Sequence, residues 1–342
     1  MKRIVVRNPG GHGALELVHE GDPVPGPGEA RVAVRACGIN YADCMVRQGL
    51  YKAAEGLYPM TPGFEFSGVV DALGSGATRV KHGQKVFGYT RFGGYASSIV
   101  VPERQLFPCP DGWSFSECAG FPAVYFTAYH ALHRVAKVER GETILVHSAA
   151  GGVGTALIQL GKIAGCRVVG VVGSAHKVEL CKSLGADAIV DRSLHKDFWR
   201  EVELVAPNGF DAIFDANGVR SLREGFKRLA HGGRLVVYGF AEMLPRGKDT
   251  AGWLGLALNW LRVPRFSPLD MTTSNRAVMG FNVVFLFHKL DLADRAMFDL
   301  LRWVQEGRIA KTPVSEFPFE KPGEAHRALE SGRTTGKLVL TL

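Results

Sequence analysis

The sequence predicts an α/β fold in which a β-rich segment precedes a doubly wound parallel sheet. Three observations lead to this prediction. The 342 residues suffice for two domains at roughly 100 to 200 residues each, and the 42 glycines indicate many tight turns. From residue 124 onward, short β-branched runs alternate with amphipathic helices. This alternation is typical of parallel strands joined by crossover helices.

The first part of the chain is predicted to form short strands. Gly and Pro clusters such as residues 23–28 separate its β-branched runs. The predicted strands are 2–7, 30–36, 68–73 and 85–89.

The second part is predicted to form a parallel sheet of six strands. Amphipathic helices such as 153–164 and 221–229 lie between most of the strands. Beyond the sixth strand, residues 292–305 are predicted to be helical, and the strand-like tail 336–342 is expected to return to the first part of the chain. The six strands are predicted at 143–147, 167–172, 188–190, 212–214, 234–239 and 278–282.

One stretch interrupts this alternation. Residues 251–261 are apolar, and the basic residues Arg262 and Arg265 follow them. We therefore expect an apolar insertion at about residues 241–272, within the nucleotide-binding half of the chain.

Composition and charge exclude several classes of protein. The chain has 41 Lys and Arg against 33 Asp and Glu, a net charge of +8, and 46% hydrophobic residues, which is typical of globular proteins and excludes disorder. The basic residues are spread along the chain without a long block, so we expect no nucleic-acid partner. The longest apolar runs fall well short of the roughly 18 to 20 residues that span a bilayer.

Cysteine usage and the start of the chain bear on location. The six cysteines include no C-x-x-C pair, which favours free thiols in a reducing compartment. Residues 1–8 alternate like a strand and lack the apolar region of a signal peptide. We therefore expect no export and a cytoplasmic location.

A glycine-rich turn follows the strand predicted at 143–147. It reads Ser-Ala-Ala-Gly-Gly-Val-Gly at 148–154 and leads into a helix, which is the context that dinucleotide binding requires. Glycines let the backbone approach a pyrophosphate, and a helix N-terminus presents unpaired N–H groups to its charge. Because Ala149 replaces the first glycine of the G-x-G-x-x-G pattern, the motif alone leaves a purely structural turn as the alternative. The residues expected to hold the pyrophosphate are Ala150, Gly151, Gly152, Val153 and Gly154.

The residues after the second strand of this sheet favour NADPH over NADH. NAD-binding proteins usually place Asp or Glu here to accept a hydrogen bond from the ribose 2′-hydroxyl. This chain continues with Gly173 and Ser174, and no acid occurs before Glu179. Ser174 can donate a hydrogen bond to a 2′-phosphate, while Lys177 and Arg192 can supply charge. The alternative is that both basic residues are ordinary surface side chains.

Segments in both parts of the chain carry a resemblance to a known family. They are 37–43, 47–51, 62–70, 149–154 and 184–187. They resemble the medium-chain dehydrogenase/reductase superfamily, and within it the zinc-independent quinone oxidoreductase group. More narrowly, the chain resembles the vesicle amine transport protein branch of that group. The segments with this narrower resemblance are 38–51, 146–154 and 274–282, together with the apolar insertion before Ser274.

The resemblance implies a two-domain fold with NADPH in the cleft between the domains. Both chain ends, residues 1–122 and 289–342, would form a GroES-like β-rich catalytic domain. Residues 123–288 would form a Rossmann NADPH-binding domain.

The resemblance also bears on metal binding. Zinc alcohol dehydrogenases of the superfamily bind a catalytic zinc through Cys, His and Cys, whereas the matching positions here hold Asn40, Phe64 and Ala123. These side chains supply neither thiolate nor imidazole, so we expect no catalytic zinc. His130 and His133 share a predicted helix face, but with no third ligand nearby we expect them to be surface or packing residues.

Without a Lewis acid, the hydride acceptor has to be electrophilic by itself, such as a quinone or an α,β-unsaturated carbonyl, and catalysis is mostly positioning. Tyr41 and Tyr125 are candidate proton donors, although water could serve instead. Asn40 and Asp43 could alternatively form a local cap. The resemblance implies a substrate side lined by Asn40, Tyr41, Asp43, Tyr51 and Phe64. On the cofactor side it implies roles for Thr127, Asn217, Tyr238, Gly239 and Lys337.

The sequence supports a second hypothesis from another class of protein. The chain could bind NADPH with weak or no catalysis and act at membrane surfaces or on protein partners, through weak contact of the apolar and basic stretch 253–265. The same stretch could instead be a lid, a dimer contact, or an apolar wall for a lipid-like enone. We also expect a homodimer, because the sixth strand is a sheet edge that relatives pair across a two-fold axis.

Overall fold

A computed structural model describes residues 1–243, 250 and 252–342, with only the backbone of Trp253. The strands, numbered in chain order, are β1 (Lys2–Val6), β2 (Leu15–His19), β3 (Glu29–Ile39), β4 (Glu65–Leu73), β5 (Lys85–Tyr89), β6 (Ser98–Pro102), β7 (Leu106–Pro108), β8 (Thr143–Val146), β9 (Arg167–Val172), β10 (Ala188–Asp191), β11 (Phe210–Asp215), β12 (Leu229–Val237), β13 (Ala277–Gly280), β14 (Val314–Pro318) and β15 (Lys337–Thr341). The helices are α1 (Tyr41–Arg47), α2 (Phe115–Ala119), α3 (Pro122–Tyr129), α4 (Gly152–Ile163), α5 (Val178–Ser183), α6 (Phe198–Val205), α7 (Arg220–Lys227), α8 (Trp253–Arg262), α9 (Pro268–Ser274), α10 (Leu290–Gln305) and α11 (Pro322–Glu330).

The predicted parallel sheet is present. Among the described residues it has six strands in the order β10-β9-β8-β11-β12-β13, and every neighbouring pair is parallel. The strand order reverses between β8 and β11. The connections that follow these two strands therefore run to opposite sides, and a crevice opens between them at the carboxyl ends of the strands. Open α/β sheets bind ligands in such a crevice. The prediction for β9 matches the observed bounds, whereas β12 begins five residues earlier than predicted and ends before Tyr238 and Gly239.

A second, mostly antiparallel sheet forms the β-rich part. Its order is β14-β15-β3-β4-β5-β7, and β6 also pairs with β3. Leu338 of β15 lies opposite Ile39 of β3, which confirms that the C-terminal tail returns to the first part of the chain. The sequence did not predict β2, β6, β7 or β14. The residues of β7 are only Leu106–Pro108, and β2 and β14 carry exposed charged residues, so their strand patterns are weak. β6 has three consecutive β-branched residues at 99–101 and was missed despite that pattern.

Helices α3 and α4 join the two sheets. Phe87 of β5, Phe126 of α3, Leu157 of α4 and Ile144 of β8 are all buried in one apolar core. This continuous core fixes the position of the glycine-rich turn relative to the β-rich sheet. The domain boundaries at 122/123 and 288/289 stay predictions; the first falls at the start of α3.

The insertion contains α8 and α9, and residues 244–249 and 251 of it lie outside the described residues. In the parts of the insertion that are described, α8 leaves several large apolar side chains exposed, among them Leu258 and Leu261. No helix within the described residues is long and apolar enough to cross a membrane.

Candidate functional site

The glycine-rich turn lies between β8 and α4, at the carboxyl end of the parallel sheet. Ser148 has a positive φ of 52°, and its carbonyl oxygen accepts a hydrogen bond from the Gly151 N–H at 2.9 Å. A Cβ atom at Gly154 would lie 2.3 Å from that same carbonyl oxygen. The tight path of the turn therefore requires glycine at 154.

The start of α4 is suited to an anion. No side chain caps the helix and its first turn has no acidic residue, so N–H groups of that turn have no side-chain acceptor. At Gly151 an added Cβ would meet only the Ser148 carbonyl oxygen, at 3.3 Å, so the space above this glycine is open. The uncapped donors and the open approach fit the pyrophosphate of a dinucleotide, as predicted for residues 150–154.

The two basic residues predicted to contact a 2′-phosphate lie in different environments. The Arg192 guanidinium covers Gly173 at the end of β9, since a Cβ there would lie 3.5 Å from both Nε and Nη2. Lys177 is only 8% exposed, and its ammonium donates a hydrogen bond to the Gly332 carbonyl at 2.6 Å. The interpretation of Lys177 as an ordinary surface lysine is therefore wrong. Ser174 lies half-buried between these positions.

The loop after β11 contacts the glycine-rich turn. The Ser148 hydroxyl donates a hydrogen bond to Asn217 Oδ1 at 2.9 Å. Asp215 Oδ1 accepts hydrogen bonds from the N–H groups of Asn217 at 2.7 Å and Gly218 at 2.9 Å. The buried Asp215 thus shapes the loop and brings Asn217 to the cofactor side of the crevice.

Tyr238 and Gly239 follow β12 on the same edge of the sheet. The Tyr238 ring stacks on Phe281, with centroids 6.2 Å apart, and burial raises its pKa above the ordinary value for tyrosine. A Cβ at Gly239 would lie 2.8 Å from the Ala216 carbonyl oxygen, so this position requires a residue without a side chain. Both residues therefore border the crevice at the predicted place.

Two site candidates lie on α3. The Thr127 hydroxyl donates a hydrogen bond to the Ala123 carbonyl at 2.7 Å, within its own helix. The Tyr125 hydroxyl accepts a hydrogen bond from Gln159 Nε2 at 2.8 Å and lies 3.3 Å from Thr312 Oγ1. Burial raises the pKa of Tyr125 to about 12. These contacts favour a structural role for Tyr125 over proton donation.

Asn40 and Asp43 form the N-terminal cap of α1, as the alternative interpretation held. Asp43 Oδ2 accepts a hydrogen bond from the Asn40 N–H at 2.8 Å, and its Oδ1 accepts one from the Gly63 N–H at 2.8 Å. Burial raises the pKa of the Asp43 carboxyl to about 7. Asp43 thus joins two loops of the site, and backbone groups occupy both of its oxygens.

A buried glutamate, Glu65, connects the residues around Asn40. Its Oε1 lies 2.6 Å from Lys337 Nζ and accepts a hydrogen bond from Asn40 Nδ2 at 2.8 Å. Its Oε2 accepts a hydrogen bond from the Ala123 N–H at 2.7 Å. A Cβ at Gly38 would lie 2.5 Å from Oε1, so Gly38 leaves room for the carboxylate. Glu65 is not among the residues expected at the site, although a lone acid within the apolar run at 64–70 is a signal for a buried, paired charge.

Lys337 lies between the glycine-rich turn and the substrate side. Its ammonium donates a hydrogen bond to Asn40 Oδ1 at 2.6 Å. The preceding residue, Gly336, has a φ of 62° and donates a backbone hydrogen bond to the Ala150 carbonyl at 2.8 Å. Two consecutive residues therefore connect the turn to Asn40, a contact that no local pattern predicts because the partners are distant in the chain.

Three aromatic residues expected on the substrate side are called the aromatic wall here: Tyr41, which is the first residue of α1, and Tyr51 and Phe64. The Tyr41 hydroxyl donates a hydrogen bond to the Ala241 carbonyl at 3.1 Å, and the Tyr51 hydroxyl donates one to Asn282 Oδ1 at 2.9 Å. Tyr51 also meets the buried Phe64 edge to face, at 5.9 Å between centroids. Burial raises the pKa of Tyr51 to about 12. The structure thus brings Tyr51 and Phe64 together and places Tyr41 directly after the N-cap residue Asn40, while Tyr125 lies with Phe64 in the same buried core.

The described residues include no group of three or more His, Cys, Asp or Glu side chains that could hold a metal ion. His130 packs on Phe281 and His133 on Trp303, with ring centroids 4.9 Å and 5.8 Å apart, as expected for packing residues. Burial lowers the pKa of both histidines. Residues His130–Ala136 form a π-helical segment, and the shared helix face of the two histidines stays a prediction.

Comparisons with known proteins agree with this geometry. Residues 152–290 match the zinc-binding dehydrogenase family, and residues 26–111 match the alcohol dehydrogenase GroES-like domain. The synaptic vesicle membrane protein VAT-1 homolog of Rattus norvegicus is 36% identical over 323 residues, which cover 93% of this chain and 78% of the relative. Quinone oxidoreductase-like protein 2 of Bos taurus is 32% identical over 328 residues, covering 95% and 89%. The structure of mycobacterial Rv1454c complexed with NADPH aligns over 100% of both chains, with a TM-score of 0.85 and 28% identity.

Proposed function

The chain belongs to the zinc-independent quinone oxidoreductase group of the medium-chain dehydrogenase/reductase superfamily, and we propose that it transfers hydride from NADPH to a quinone or an α,β-unsaturated carbonyl. One observation carries the proposal. The Gly336 N–H donates a hydrogen bond to the Ala150 carbonyl of the glycine-rich turn at 2.8 Å. The ammonium of the next residue, Lys337, donates one to Asn40 Oδ1 at 2.6 Å. A cofactor on the turn and an acceptor beside Asn40 would therefore be neighbours.

With a quinone acceptor, the reaction transfers two electrons and two hydrogens in total. Quinone, hydride and one proton give hydroquinone, and the oxidised cofactor leaves as NADP⁺. When bound, NADPH supplies the hydride, which carries two electrons. The protein positions the acceptor against the aromatic wall of Tyr41, Tyr51 and Phe64. The proton comes from water or from the Tyr41 hydroxyl, which is part-buried at the edge of this wall.

The choice of NADPH over NADH rests on charge. An arginine, Arg192, covers the end of β9, where NAD-binding proteins usually carry an acid. A guanidinium binds a phosphate through several parallel hydrogen bonds. The structural relative complexed with NADPH supports the same choice.

The proposal is tested with purified protein by following the near-ultraviolet absorbance of NADPH. The acceptors are an ortho-quinone, a para-quinone and an enone, and NADH replaces NADPH as the control. We expect turnover with NADPH and at least one quinone or enone. Tight binding of NADPH without turnover of any acceptor would contradict the proposal and favour the binding function described next.

A second candidate function is an NADPH-binding protein that acts at membrane surfaces or on protein partners. The outward face of α8 favours it, because Leu254, Leu258 and Leu261 are exposed beside Arg262. The test is co-sedimentation with vesicles of phosphatidylcholine and phosphatidylserine. Leu258→Asp should release the protein, whereas Leu204→Asp, an exposed leucine on α6, should not. Equal recovery of all three proteins in the supernatant would exclude action at membrane surfaces through α8.

We further propose a cytoplasmic homodimer. The six cysteines are all free, which supports a reducing compartment. β13 ends the order of the parallel sheet among the described strands, which leaves an edge for a second copy. Light scattering after gel filtration tests the dimer, and a mass of one chain would contradict it.

A further inference from the structure

An apolar groove of about 300 Å³ lies between α1 and α8. Every described residue that lines it is apolar or aromatic. They are Met45, Leu50, Met243, Leu256, Ala257 and Trp260. Trp260 is 65% exposed although it borders this concave surface, so a ligand in the groove would cover an indole ring that is now in water.

The groove begins at the substrate side of the proposed active site. Met45 lies one helical turn after Tyr41, on the same face of α1. The Leu50 N–H donates a hydrogen bond to the Met45 carbonyl at 2.9 Å, which holds both side chains on one wall. A molecule whose ring contacts Tyr41 could therefore continue along α1 into the groove.

Another residue that lines the groove, Met243, belongs to a turn that contacts the cofactor side of the site. Residues Ala241–Met243 form a single turn that accepts the Tyr41 hydrogen bond through Ala241 and lines the groove through Met243. The N–H groups of Ala241 and Glu242 donate hydrogen bonds to the carbonyls of Ala216 and Asn217, at 3.0 Å and 2.9 Å. One short turn thus connects the loop beside the cofactor, the edge of the aromatic wall and the groove.

We propose that the groove holds the alkyl or isoprenoid side chain of a quinone acceptor, an inference that rests on the proposed function. Its volume is about twice the ~150 Å³ of a cavity that binds benzene, which corresponds to a chain of roughly ten carbons. Two methionines in the walls suit a flexible chain, because their side chains adapt to different shapes. The polar Tyr41 end and the apolar groove end match a molecule with a polar ring and an apolar tail.

The test compares two quinones with the same ring. One is 2,3-dimethoxy-5-methylbenzoquinone and the other is its 6-decyl derivative. Each fully buried methylene contributes up to about fourfold in affinity, and the groove is open on one side. We therefore expect a KM about 10- to 100-fold lower for the decyl compound, with similar kcat.

Three variants locate this effect. Trp260→Ala removes one wall, and Ala257→Asp places a charge at an exposed position in the groove. Both should raise the KM of the decyl quinone at least fivefold and leave the ring-only quinone unchanged. Leu261→Ala is the matched control, since Leu261 is 71% exposed on the same helix and does not line the groove. Equal KM values for the two quinones in the wild-type protein would overturn the proposal while leaving the proposed function intact.

A binding titration separates the two proposals. Quenching of tryptophan fluorescence by each quinone measures affinity without turnover. If neither quinone is reduced, the quinone arm of the proposed function fails, and tighter binding of the decyl compound that is lost in Ala257→Asp still supports the groove. Equal affinity for both quinones overturns it. A change of oligomeric state, or a loss of vesicle binding, in Ala257→Asp would assign the groove to a second copy or to lipid acyl chains and would also overturn it.

Discussion

Lys337 and Glu65 form a buried ion pair at the junction of the two halves of the site. Lys337 Nζ lies 2.6 Å from Glu65 Oε1, and the two side chains are 4% and 0% exposed. β15 carries the lysine and β4 the glutamate, and Asn40 bonds to both side chains. Removal of one partner of such a pair leaves a buried charge without its partner, which costs about 3 to 5 kcal/mol.

We predict that Lys337→Met lowers the free energy of unfolding by about 3 kcal/mol, the low end of that range because Asn40 and the Ala123 N–H still bond to Glu65. Lys311→Met is the control. Lys311 lies 2.9 Å from Glu117, and its side chain is 45% exposed, so its loss should cost less than about 1 kcal/mol. Urea denaturation measures the free energy of unfolding of both variants. Similar losses in the two would show that the buried pair contributes no more to stability than the exposed one.

We predict that Gly151→Val abolishes NADPH binding while the protein stays folded. The valine would occupy the open space in front of α4 and block the pyrophosphate, which should weaken binding more than about 100-fold. Its Cβ would meet only the Ser148 carbonyl oxygen, at 3.3 Å, so the change at this cap position should cost about 1 kcal/mol of stability. Fluorescence titration and thermal denaturation measure the two effects.

Gly13→Val is the matched control for this substitution. A Cβ at Gly13 would have no atom within 4 Å, and the residue lies in the short helical turn His12–Ala14, far along the chain from the glycine-rich turn. NADPH should bind this variant as it binds the wild-type protein. If Gly151→Val bound NADPH normally, the pyrophosphate could not lie on the start of α4.

Local pattern predicted the parallel sheet well because buried parallel strands are continuous β-branched runs. β9 is such a run, and its bounds match the prediction. The glycine-rich turn could also be recognised in the sequence, because the tight path of its backbone leaves no room for a side chain at Gly154. β7 was missed because it has only three residues, and β14 because it is short and carries an exposed glutamate; pairing with β5 and β15 completes them.

The site could be predicted only as a set of residues. Tyr51 and Phe64 meet edge to face, whereas the substrate-side role that the resemblance implied for them and for Tyr41 stays a prediction. Tyr125 has the right chemical group but lies on the inward side of α3, which a residue type alone does not reveal. Glu65 carried a local signal as a lone acid in an apolar run, but its partner Lys337 is distant in the chain, and only folding brings the two within 2.6 Å.

We predict that Arg192→Gln weakens NADPH binding about 10- to 100-fold, because a hydrogen bond to a charged group is worth about 1.5 to 3 kcal/mol. NADH lacks the 2′-phosphate, so its affinity should change less than about threefold. Arg200→Gln, an exposed arginine on α6, is the control and should change neither affinity. Titration with both dinucleotides measures the ratio. If Arg192→Gln left that ratio unchanged, the 2′-phosphate would have to lie elsewhere, and Lys177→Gln would be the next variant to test.

His326 of α11 links stability to pH. It is fully buried and lies 3.1 Å from the Tyr95 hydroxyl through Nε2. Burial holds its pKa well below the ordinary value, and the nearby charges of Arg47 and His12 act in the same direction. The folded protein therefore keeps His326 neutral, whereas the unfolded chain protonates it near pH 6.5. The stability that neutral His326 provides is present above pH 6.5 and is lost as the pH falls below it.

We predict that this loss amounts to about 1.4 kcal/mol for each pH unit below 6.5. Asp43 acts in the opposite direction, because its raised pKa of about 7 removes stability as the pH rises towards 7. The pH dependence of the free energy of unfolding therefore contains contributions from both groups. The difference in this free energy between wild type and His326→Gln isolates the contribution of the histidine. Urea denaturation between pH 5 and 8, about 1.5 pH units on either side of the ordinary histidine value, should show a difference that is constant above pH 6.5 and shrinks below it. His82→Gln, at an exposed histidine, should give a flat difference. A flat difference for His326→Gln as well would mean that the buried imidazole is protonated in the folded state.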